Sequence, residues 1–320
     1  MKVSILISTY NGEKDIRPLL DSIKELDTGS CELEVILRDD SSVDDTAEIV
    51  EQEYGWVRLI RGKGGNVGFV KSNNIAFQQS TGTIICCVNQ DTLLHPRFVV
   101  EGVEILQQDP QVVGVNTNMI MPWVMSLEQF RKTTSQNDFP AYEYQLTPYG
   151  FVRYVEVAQA PHVTNFMTGG GFFVRRSIVQ EGGYLFDPVL DMYCEDTELS
   201  LRVQRCGGSI AYCPQAIIYH NQASRKASTF HELIKLVRIT RNRFSLFARI
   251  NSPLTFTLKY PMYLIGIIKK MSYLGLSLRK RMVAYIMGIG IAFLFFCLFP
   301  YWLIYSLKYN CSGEVIRNYG

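Results

Sequence analysis

Short apolar runs alternate with amphipathic segments along the first part of the chain. Residues 3–8, 33–37 and 83–88 are largely apolar, which is typical of strands buried on both faces of a sheet. Between these runs, apolar residues recur at helical spacing, as they do on one face of 15–26. Strands that alternate with helices predict an α/β fold with a mostly parallel sheet covered on both faces.

The same patterns predict the remaining elements. Further strands are expected at 57–60, 112–115, 172–174 and 216–219, and further helices at 44–54, 68–79 and 195–206. Pro96 suits the first position of the helix after the fourth strand, and Gly207 suits the end of the last of these helices. Residues 121–160 lose the periodicity, which predicts an irregular insertion or lid.

Polar residues directly follow three of the predicted strands. They are Thr9, Tyr10 and Asn11 after the first strand, Asp39, Ser42 and Asp44 after the second, and Asn89, Gln90 and Asp91 after the fourth. Ligands of an open parallel sheet bind beyond the carboxyl ends of its strands, and carboxylates suit a hard divalent cation. Each segment taken singly is also typical of a turn and helix cap. Together the three predict a shared polar crevice.

The glycine-rich segment 62–68 is a candidate phosphate-binding loop. It lacks the Gly-Lys-Ser/Thr ending of a P-loop, because Lys71 follows Phe69 and Val70 instead. The dinucleotide pattern begun at Gly62 would need a glycine at position 67, which is a valine. A dehydrogenase or an ATPase is therefore disfavoured.

An ordered set of motifs over about residues 1–250 resembles the family 2 glycosyltransferases of the GT-A fold. Residues 4–11 and 38–46 resemble the nucleotide-binding half of that family. Residues 66–74 and 89–92 resemble the "N-x-G-F…N-N" and "N-P-D-T" segments of its rhamnosyltransferase-like branch. The set continues with residues 168–172, 182–187, 195–202, 214–216 and His220. Gln90 stands where that branch has proline, and Glu198 where it has a second aspartate, which bears on substrate identity.

The resemblance implies inverting transfer of a sugar from a nucleotide-sugar donor. Asp196 would be the general base for the acceptor hydroxyl, with Glu195 as its neighbour. Asp91 and His220 would hold a divalent metal, Mn²⁺ or Mg²⁺, that neutralises the diphosphate leaving group. The implied donor contacts are Thr9, Tyr10, Asn11, Asp39, Ser42, Asp44, Asn66, Gly68, Asn74, Asn89, Gln90, Gly170 and Gly171.

These residues also have structural interpretations. The helix dipole alone favours acidic residues such as Glu195 and Asp196 in a first turn. A lone histidine such as His220 at a strand end is often structural, and residues 169–171 also fit a plain turn.

Composition and charge define two parts of the chain. Hydrophobic residues make up 47% and charged residues 19%, which excludes a disordered or disulfide-scaffold protein, and a net charge of +2 gives no indication of nucleic acid. Residues 221–281 carry 13 Lys/Arg against Glu232 alone, whereas 282–307 carry no charge. The resemblance implies a GT-A catalytic domain at 1–220, and the charge pattern predicts a basic membrane-proximal connector at 221–281, a membrane segment at 282–307 and a short tail at 308–320.

The charge asymmetry also predicts a location. Basic residues precede the uncharged run, so the catalytic body is expected at the cytoplasmic face of the membrane, with the connector along anionic headgroups. Pro300 is compatible with a kinked or re-entrant helix, and a buried core helix is the alternative to insertion. The eight scattered cysteines form no C-x-x-C pair and are predicted to be reduced core thiols.

The resemblance, together with the uncharged segment, implies a membrane-anchored glycosyltransferase of surface polysaccharide or glycolipid synthesis, with a glycan or polyprenyl-linked acceptor. A nucleotidyltransferase on a similar sheet is the first alternative, but residues 9–13 contain no Arg or Lys to grip a triphosphate. A catalytically inactive membrane scaffold is the second, and the presence of both Asp91 and Asp196 counts against it.

Overall fold

The computed structural model describes residues 1–147, 151–180, 183–221, 229–272 and 278–311. The motif residue Gly182, parts of the predicted connector and most of the predicted tail lie outside the described residues. The chain divides into two compact units, Met1–Gln145 with Tyr154–Lys226, and Leu146–Arg153 with Ala227–Gly320.

Strands and helices alternate through the first unit. The strands in chain order are β1 (Lys2–Thr9), β2 (Glu32–Asp39), β3 (Arg58–Arg61), β4 (Ile84–Asn89), β5 (Thr92–Leu94), β6 (Val112–Ile120), β7 (Tyr142–Leu146), β8 (Val152–Glu156), β9 (His162–Thr164), β10 (Gly171–Arg175) and β11 (Ser209–His220). The helices are α1 (Ile16–Lys24), α2 (Thr46–Glu53), α3 (Phe69–Gln79), α4 (Phe98–Gln108), α5 (Leu127–Lys132), α6 (Arg176–Gln180) and α7 (Glu195–Arg205).

The main sheet of the described chain has nine strands in the order β3-β2-β1-β4-β10-β6-β11-β5, with β9 paired to β11. Strands β3, β2, β1 and β4 are parallel, and β6 is parallel to β11. Strand β10 is antiparallel to both of its neighbours, β4 and β6. The N-terminus of β10 therefore lies at the edge where β4 and β6 end. The predicted α/β fold with a mostly parallel sheet is confirmed.

Strand β1 shows why the apolar runs are continuous. Its alternate residues Ile5 and Ile7 enter one core cluster, together with the buried face of α1. Leu6 points the other way, into a second cluster that contains Val70 of α3. Each of these side chains is fully buried, which contributes roughly 1.5–3 kcal/mol per residue. Two covered faces favour apolar residues at consecutive positions, as at Ile5, Leu6 and Ile7.

Three sequence predictions about elements need correction. Residues 121–160 are not an irregular insertion, since they contain α5 and the paired strands β7 and β8. A capping box formed by Ser126 and Gln129 starts α5. Pro96 lies before the Arg97 cap of α4 instead of inside the helix, because its carbonyl accepts a hydrogen bond from Asp27.

The last predicted strand is longer than expected. Residues 216–219 are the end of β11, whose register against β6 shifts between Cys213 and Ile217. Pro214 lies inside this shift, where its lack of an N–H is tolerated.

The second unit consists mainly of helices α8 (Thr229–Ile250), α9 (Pro253–Ser272), α10 (Leu278–Cys297) and α11 (Phe299–Cys311). Aromatic rings fill its core, with Phe244 and Phe295 stacked at 4.9 Å between ring centroids. In the described chain, no helix alone has the length and apolar composition of a bilayer span. Segments Ile289–Cys297 and Phe299–Leu307 meet that criterion only as a pair, with a bend of 52°.

The cysteines match the prediction in part. The seven cysteines from Cys31 to Cys297 are free. Cys86, Cys87, Cys194 and Cys213 are buried, whereas Cys206 and Cys297 are exposed and are not core thiols.

Candidate functional site

The loops after β1 and β2 are tied together by their polar side chains. The Asn11 amide N–H donates to Ser42 Oγ at 2.9 Å, and Asn11 Oδ1 accepts from the Val43 amide at 3.0 Å. Asn11 has a φ of 50°, an uncommon left-handed conformation for a residue with a side chain. Asn11 and Ser42 therefore hold the loops after β1 and β2 together.

Asp44 stabilises the same junction. Its carboxylate accepts hydrogen bonds from the Glu13 amide and the Thr46 amide, each at 3.2 Å, and from the Thr46 hydroxyl. Burial raises the pKa of Asp44, but these hydrogen bonds together lower it below the usual value. The sequence predicts that Asp44 contacts the nucleotide-sugar donor. In the structure its carboxylate stabilises the start of α2.

Asp39 and Asp40 at the end of β2 have different surroundings. Asp39 is 3% exposed, and its Oδ1 has no hydrogen-bond partner in the described chain. The neighbouring Asp40 accepts from the amides of Val67 and Gly68 at 3.0 and 2.8 Å. Asp39 Oδ1 therefore keeps an unused acceptor, whereas Asp40 positions the glycine-rich loop.

Gln90 joins the end of β4 to the end of β1. Its Oε1 accepts hydrogen bonds from the Thr9 hydroxyl and the Tyr10 amide, both at 2.8 Å. The Tyr10 side chain is 40% exposed beside this junction. Thr9 and Gln90 thus fix the backbone, and Tyr10 presents a ring to the crevice.

The predicted contacts on the glycine-rich loop and α3 are divided. Asn66 is exposed, and Gly68 has a φ of 94° at the start of α3, a conformation that favours glycine. Asn74 is buried, and its amide bonds the backbone of Leu185 and Phe186 through three hydrogen bonds of 2.7–3.0 Å. The sequence predicts that Asn74 contacts the nucleotide-sugar donor, whereas in the structure its side chain holds the backbone at Leu185 and Phe186.

Asp91 and His220 lie side by side although 129 residues separate them. His220 Nε2 is 3.1 Å from Asp91 Oδ1, and strand β5 pairs with β11 at this point. Two further buried atoms, His220 Nδ1 and Asn89 Oδ1, have no hydrogen-bond partner among the described residues. A carboxylate, an imidazole and an amide oxygen form a donor set that suits Mn²⁺ or Mg²⁺. In the described chain, no group of three or more His, Cys, Asp or Glu side chains forms a metal cluster.

The glycine turn before β10 connects this pair to the two carboxylates of α7. A Cβ on Gly170 would lie 2.3 Å from Met119 Cε and 3.3 Å from His220 Nδ1. A Cβ on Gly171 would lie 2.7 Å from Ile218 Cδ1. The turn therefore packs too closely against β6 and β11 to accept side chains at these two positions.

Glu195 and Asp196 face the same turn. The Cβ position of Gly169 is 3.6 Å from Asp196 Oδ2 and 3.8 Å from Glu195 Oε1. The Thr197 amide donates to Asp196 Oδ1 at 2.7 Å, and the Gly169 amide donates to its Oδ2 at 3.4 Å. Tyr193 and Cys194, which precede the helix, have φ values of 71° and 69°. Such backbone strain is frequent at functional sites.

The two carboxyl groups differ in their electrostatics. Glu195 is 8% exposed, and burial, followed by the negative charge of Asp196, raises its pKa to about 8. The raised pKa favours the protonated form of Glu195 beside Asp196.

Sequence patterns missed two residues of this edge. Asp40 is the same residue type as Asp39 and lies at the same strand end. The sequence therefore does not show that Asp40, and not Asp39, accepts the hydrogen bonds of Val67 and Gly68. Tyr144 is another, because burial and the charge of Asp196 raise its pKa to about 12. No periodicity connects Tyr144 with a helix that starts 51 residues later.

The sheet order, the antiparallel strand β10 and the acidic strand ends define the GT-A class of α/β folds. The sequence profile described as Glycosyl transferase family 2 matches residues 4–183, and the chain therefore belongs to this family. The rhamnosyltransferase-like branch is not distinguished by this match.

Two curated relatives share part of the sequence. The probable glycosyltransferase YdaM of Bacillus subtilis (strain 168) is 29% identical over 226 residues, which are 69% of this chain and 51% of YdaM. The poly(ribitol-phosphate) beta-N-acetylglucosaminyltransferase TarS of Staphylococcus aureus (strain Mu50 / ATCC 700699) is 30% identical over 112 residues, 34% of this chain and 19% of TarS. The match spans about half of the first relative and a fifth of the second.

Solved structures share the fold. S. aureus TarS 1–349 in complex with UDP-GlcNAc has a TM-score of 0.56 at 18% identity, with 91% of this chain and 80% of that chain covered. The mannosyltransferase PcManGT from Pyrobaculum calidifontis, in complex with GDP-Man and Mn²⁺, has a TM-score of 0.55 at 16% identity, with 97% and 86% covered.

Proposed function

We propose that the chain is an inverting glycosyltransferase that moves a hexosyl or deoxyhexosyl group from a nucleotide-sugar to a hydroxyl of a glycan or polyprenyl-linked acceptor. The observation that carries the proposal is the single glycine turn, residues 169–171, against which the Asp91–His220 pair and the Glu195–Asp196 pair both lie. Family membership and the donor complexes of the structural neighbours support it. The motifs at 66–74 and 89–92 favour the rhamnosyltransferase-like branch.

Asp196 is the group we assign to proton transfer. Its carboxylate takes the proton of the acceptor hydroxyl as that oxygen attacks the sugar carbon from the face opposite the leaving diphosphate. The amides of Gly169 and Thr197 hold the carboxylate in place. Glu195, kept protonated by its buried surroundings, avoids a second negative charge beside the base.

A divalent metal fits the donor set formed by Asp91, His220 and Asn89. When bound, the metal would neutralise charge on the diphosphate leaving group. The buried atoms of His220 and Asn89 that lack partners support this assignment.

The unpartnered Asp39 Oδ1 suits the nucleobase. A buried carboxylate oxygen without a partner is costly unless a ligand supplies a donor. The ring N–H of uracil, thymine or guanine is such a donor, and the exposed ring of Tyr10 offers a stacking surface nearby.

The second unit supports a place at the cytoplasmic face of the membrane. Leu258, Phe293 and Ile304 expose 66–69% of their surface, and large exposed apolar groups favour a lipid environment. The bent pair of apolar segments and the basic residues before it are consistent with an anchor that does not cross the bilayer as one straight helix. We propose surface polysaccharide or glycolipid synthesis as the pathway class, because such an anchor brings the site close to lipid-linked acceptors.

A thermal-shift screen tests the proposal. UDP-, GDP- and dTDP-sugars are added with and without Mn²⁺ to the unsubstituted chain, to Asp91→Asn and to Asp45→Asn. Asp45 is the control, because it is an exposed carboxylate at the same sheet edge without a side-chain cap bond. We expect a Mn²⁺-dependent rise in melting temperature with at least one donor in the unsubstituted chain and Asp45→Asn, and none in Asp91→Asn. An equal rise in Asp91→Asn would remove Asp91 from the metal site, and no rise with any donor would count against the proposed function.

A further inference from the structure

An aromatic cluster is formed by residues of β7, β8 and the segment after β6. Trp123, three residues beyond the end of β6, stands edge-on to Tyr154 with ring centroids 6.1 Å apart. Tyr154 also stacks on Tyr142 at 5.0 Å and contacts Tyr144 at 4.8 Å. The aromatic cluster consists of these four rings, Trp123, Tyr142, Tyr144 and Tyr154.

Met119 connects the aromatic cluster to the glycine turn. The Tyr154 hydroxyl donates to the Met119 carbonyl at 2.6 Å, and the Met119 side chain packs on Gly170. Tyr144 is on the same side of the molecule as Asp196, since the charge of Asp196 contributes to the raised pKa of this tyrosine. A group held by the cluster would therefore lie near the base that accepts its proton.

Trp123 itself is unusually exposed for so large an apolar side chain. It is 66% exposed, and no hydrogen bond to its indole N–H is found in the described part of the chain. Tyr154 holds the ring from one side only, so a broad face and a donor remain available. Exposed tryptophan in a fixed orientation is typical of a binding surface.

The polar group on the cluster indicates what kind of ligand it suits. The Tyr142 hydroxyl donates to Glu156 Oε2 at 3.2 Å, so a carboxylate borders the rings. A carboxylate accepts hydrogen bonds from sugar hydroxyls, whereas it repels anionic lipid headgroups. An aromatic face beside a hydrogen-bond acceptor matches a pyranose ring, which has an apolar C–H face and a rim of hydroxyls.

We propose that Trp123, backed by Tyr154 and bordered by Glu156, is the subsite that binds the acceptor sugar. The inference rests on the proposed glycosyltransferase function, and it makes a neutral glycan the part of the acceptor that the protein recognises. Trp123 stacks on the sugar ring and delivers its hydroxyl toward Asp196. Trp123 is a positioning residue, because it does not contact the reacting atoms.

The chain offers a matched control for Trp123. Trp56 is also an exposed tryptophan, at 43%, and stands edge-on to Tyr54 with centroids 6.3 Å apart and an interplanar angle of 77°. It lies just before β3, at the opposite edge of the sheet from the glycine turn. Trp56→Phe removes its fluorescence without touching the site.

Tryptophan fluorescence tests the subsite without any transfer reaction. Cellobiose, maltose and N,N′-diacetylchitobiose are titrated into Trp56→Phe and into the double variant Trp56→Phe/Trp123→Phe, with and without UDP and Mn²⁺. We expect a saturable change with at least one disaccharide in Trp56→Phe, and no change in the double variant. In the Trp56→Phe background, Trp123→Ala should weaken disaccharide binding, measured by calorimetry, by about tenfold, the order expected for loss of one aromatic contact.

Three results would overturn the subsite. They are no response to any of the disaccharides, a response that persists in the double variant, and a response to phosphatidylglycerol vesicles alone that is lost in the double variant, which would make Trp123 a lipid contact. The comparison with the double variant is needed because Trp302 of the proposed anchor remains in both chains. Failure of the proposed function has a different signature. In that case no nucleotide-sugar stabilises the unsubstituted chain with Mn²⁺, whatever the disaccharides do.

Discussion

Replacing Glu195 by glutamine is expected to change how stability depends on pH. Burial and the charge of Asp196 raise the pKa of Glu195 from 4.5 to about 8 in the folded chain. Between these two values the folded state keeps a proton that the unfolded state has lost, so the stability of the unsubstituted chain falls as pH rises. Each pKa unit corresponds to about 1.4 kcal/mol, which gives an upper bound of roughly 5 kcal/mol over this window. Since Asp196 shares the site, we expect about 2–5 kcal/mol.

Glutamine keeps the size of the side chain and does not titrate. The melting temperature of Glu195→Gln should therefore rise relative to the unsubstituted chain, by roughly 5–15 °C, as pH increases from 5 to 9. Differential scanning fluorimetry of both chains across this range measures the gap. Effects of titrating groups that do not interact with Glu195 cancel in the difference between the two chains.

Glu198→Gln is the matched control on the same helix. Glu198 is buried and pairs with Arg202 through two hydrogen bonds of 3.0 Å. Loss of that ion pair should cost about 3–5 kcal/mol at every pH tested, without a trend. A melting-temperature gap for Glu195→Gln that is the same at pH 5 and pH 9 would show that Glu195 is already ionised in the folded chain, and the reasoning would be refuted.

Three further predictions concern the base, the glycine-rich loop and the anchor. Asp196→Asn should lower turnover by about 10²–10⁴-fold and leave donor affinity unchanged in calorimetry, and a larger loss in Glu195→Gln would move the base by one residue. Asp40→Ala should lower stability by about 1–3 kcal/mol and weaken donor binding, because the amides of Val67 and Gly68 lose their acceptor. Unchanged donor affinity would limit Asp40 to a structural role. The full chain should remain in the membrane pellet after carbonate extraction, and a chain truncated before residue 282 should be released; a full chain in the supernatant would contradict the anchor.

Local patterns predicted strands β1 to β4 and helices α1 to α3, because each of these elements carries its own apolar period. Strand β1 is an example, since its consecutive residues Ile5, Leu6 and Ile7 are buried on alternate faces of the sheet. The capping box of Ser126 and Gln129 is also visible in the sequence. Helix α5 was not predicted because it is short.

Contacts between distant residues could not be predicted in the same way. Asn74 bonds backbone groups 111 and 112 positions away, so nothing near it in sequence shows that its amide is occupied. The exposed state of Trp123 depends on how Tyr154 packs, and the protonation of Glu195 depends on its burial. Such properties arise from tertiary packing and not from residue type.

The antiparallel strand β10 also determines when the site can form during synthesis on the ribosome. Val88 of β4 pairs with Gly171, and His220, the partner of Asp91, is translated 129 residues after it. At about 5–20 residues per second, the nascent chain spends roughly 6–26 s between these last two residues. The 83 residues from Val88 to Gly171 take roughly 4–17 s at this rate, and until β10 has been made β4 is an unpaired apolar edge, which is prone to pair with other chains. We expect the half-made protein to depend on chaperones until β10 and β11 have been translated.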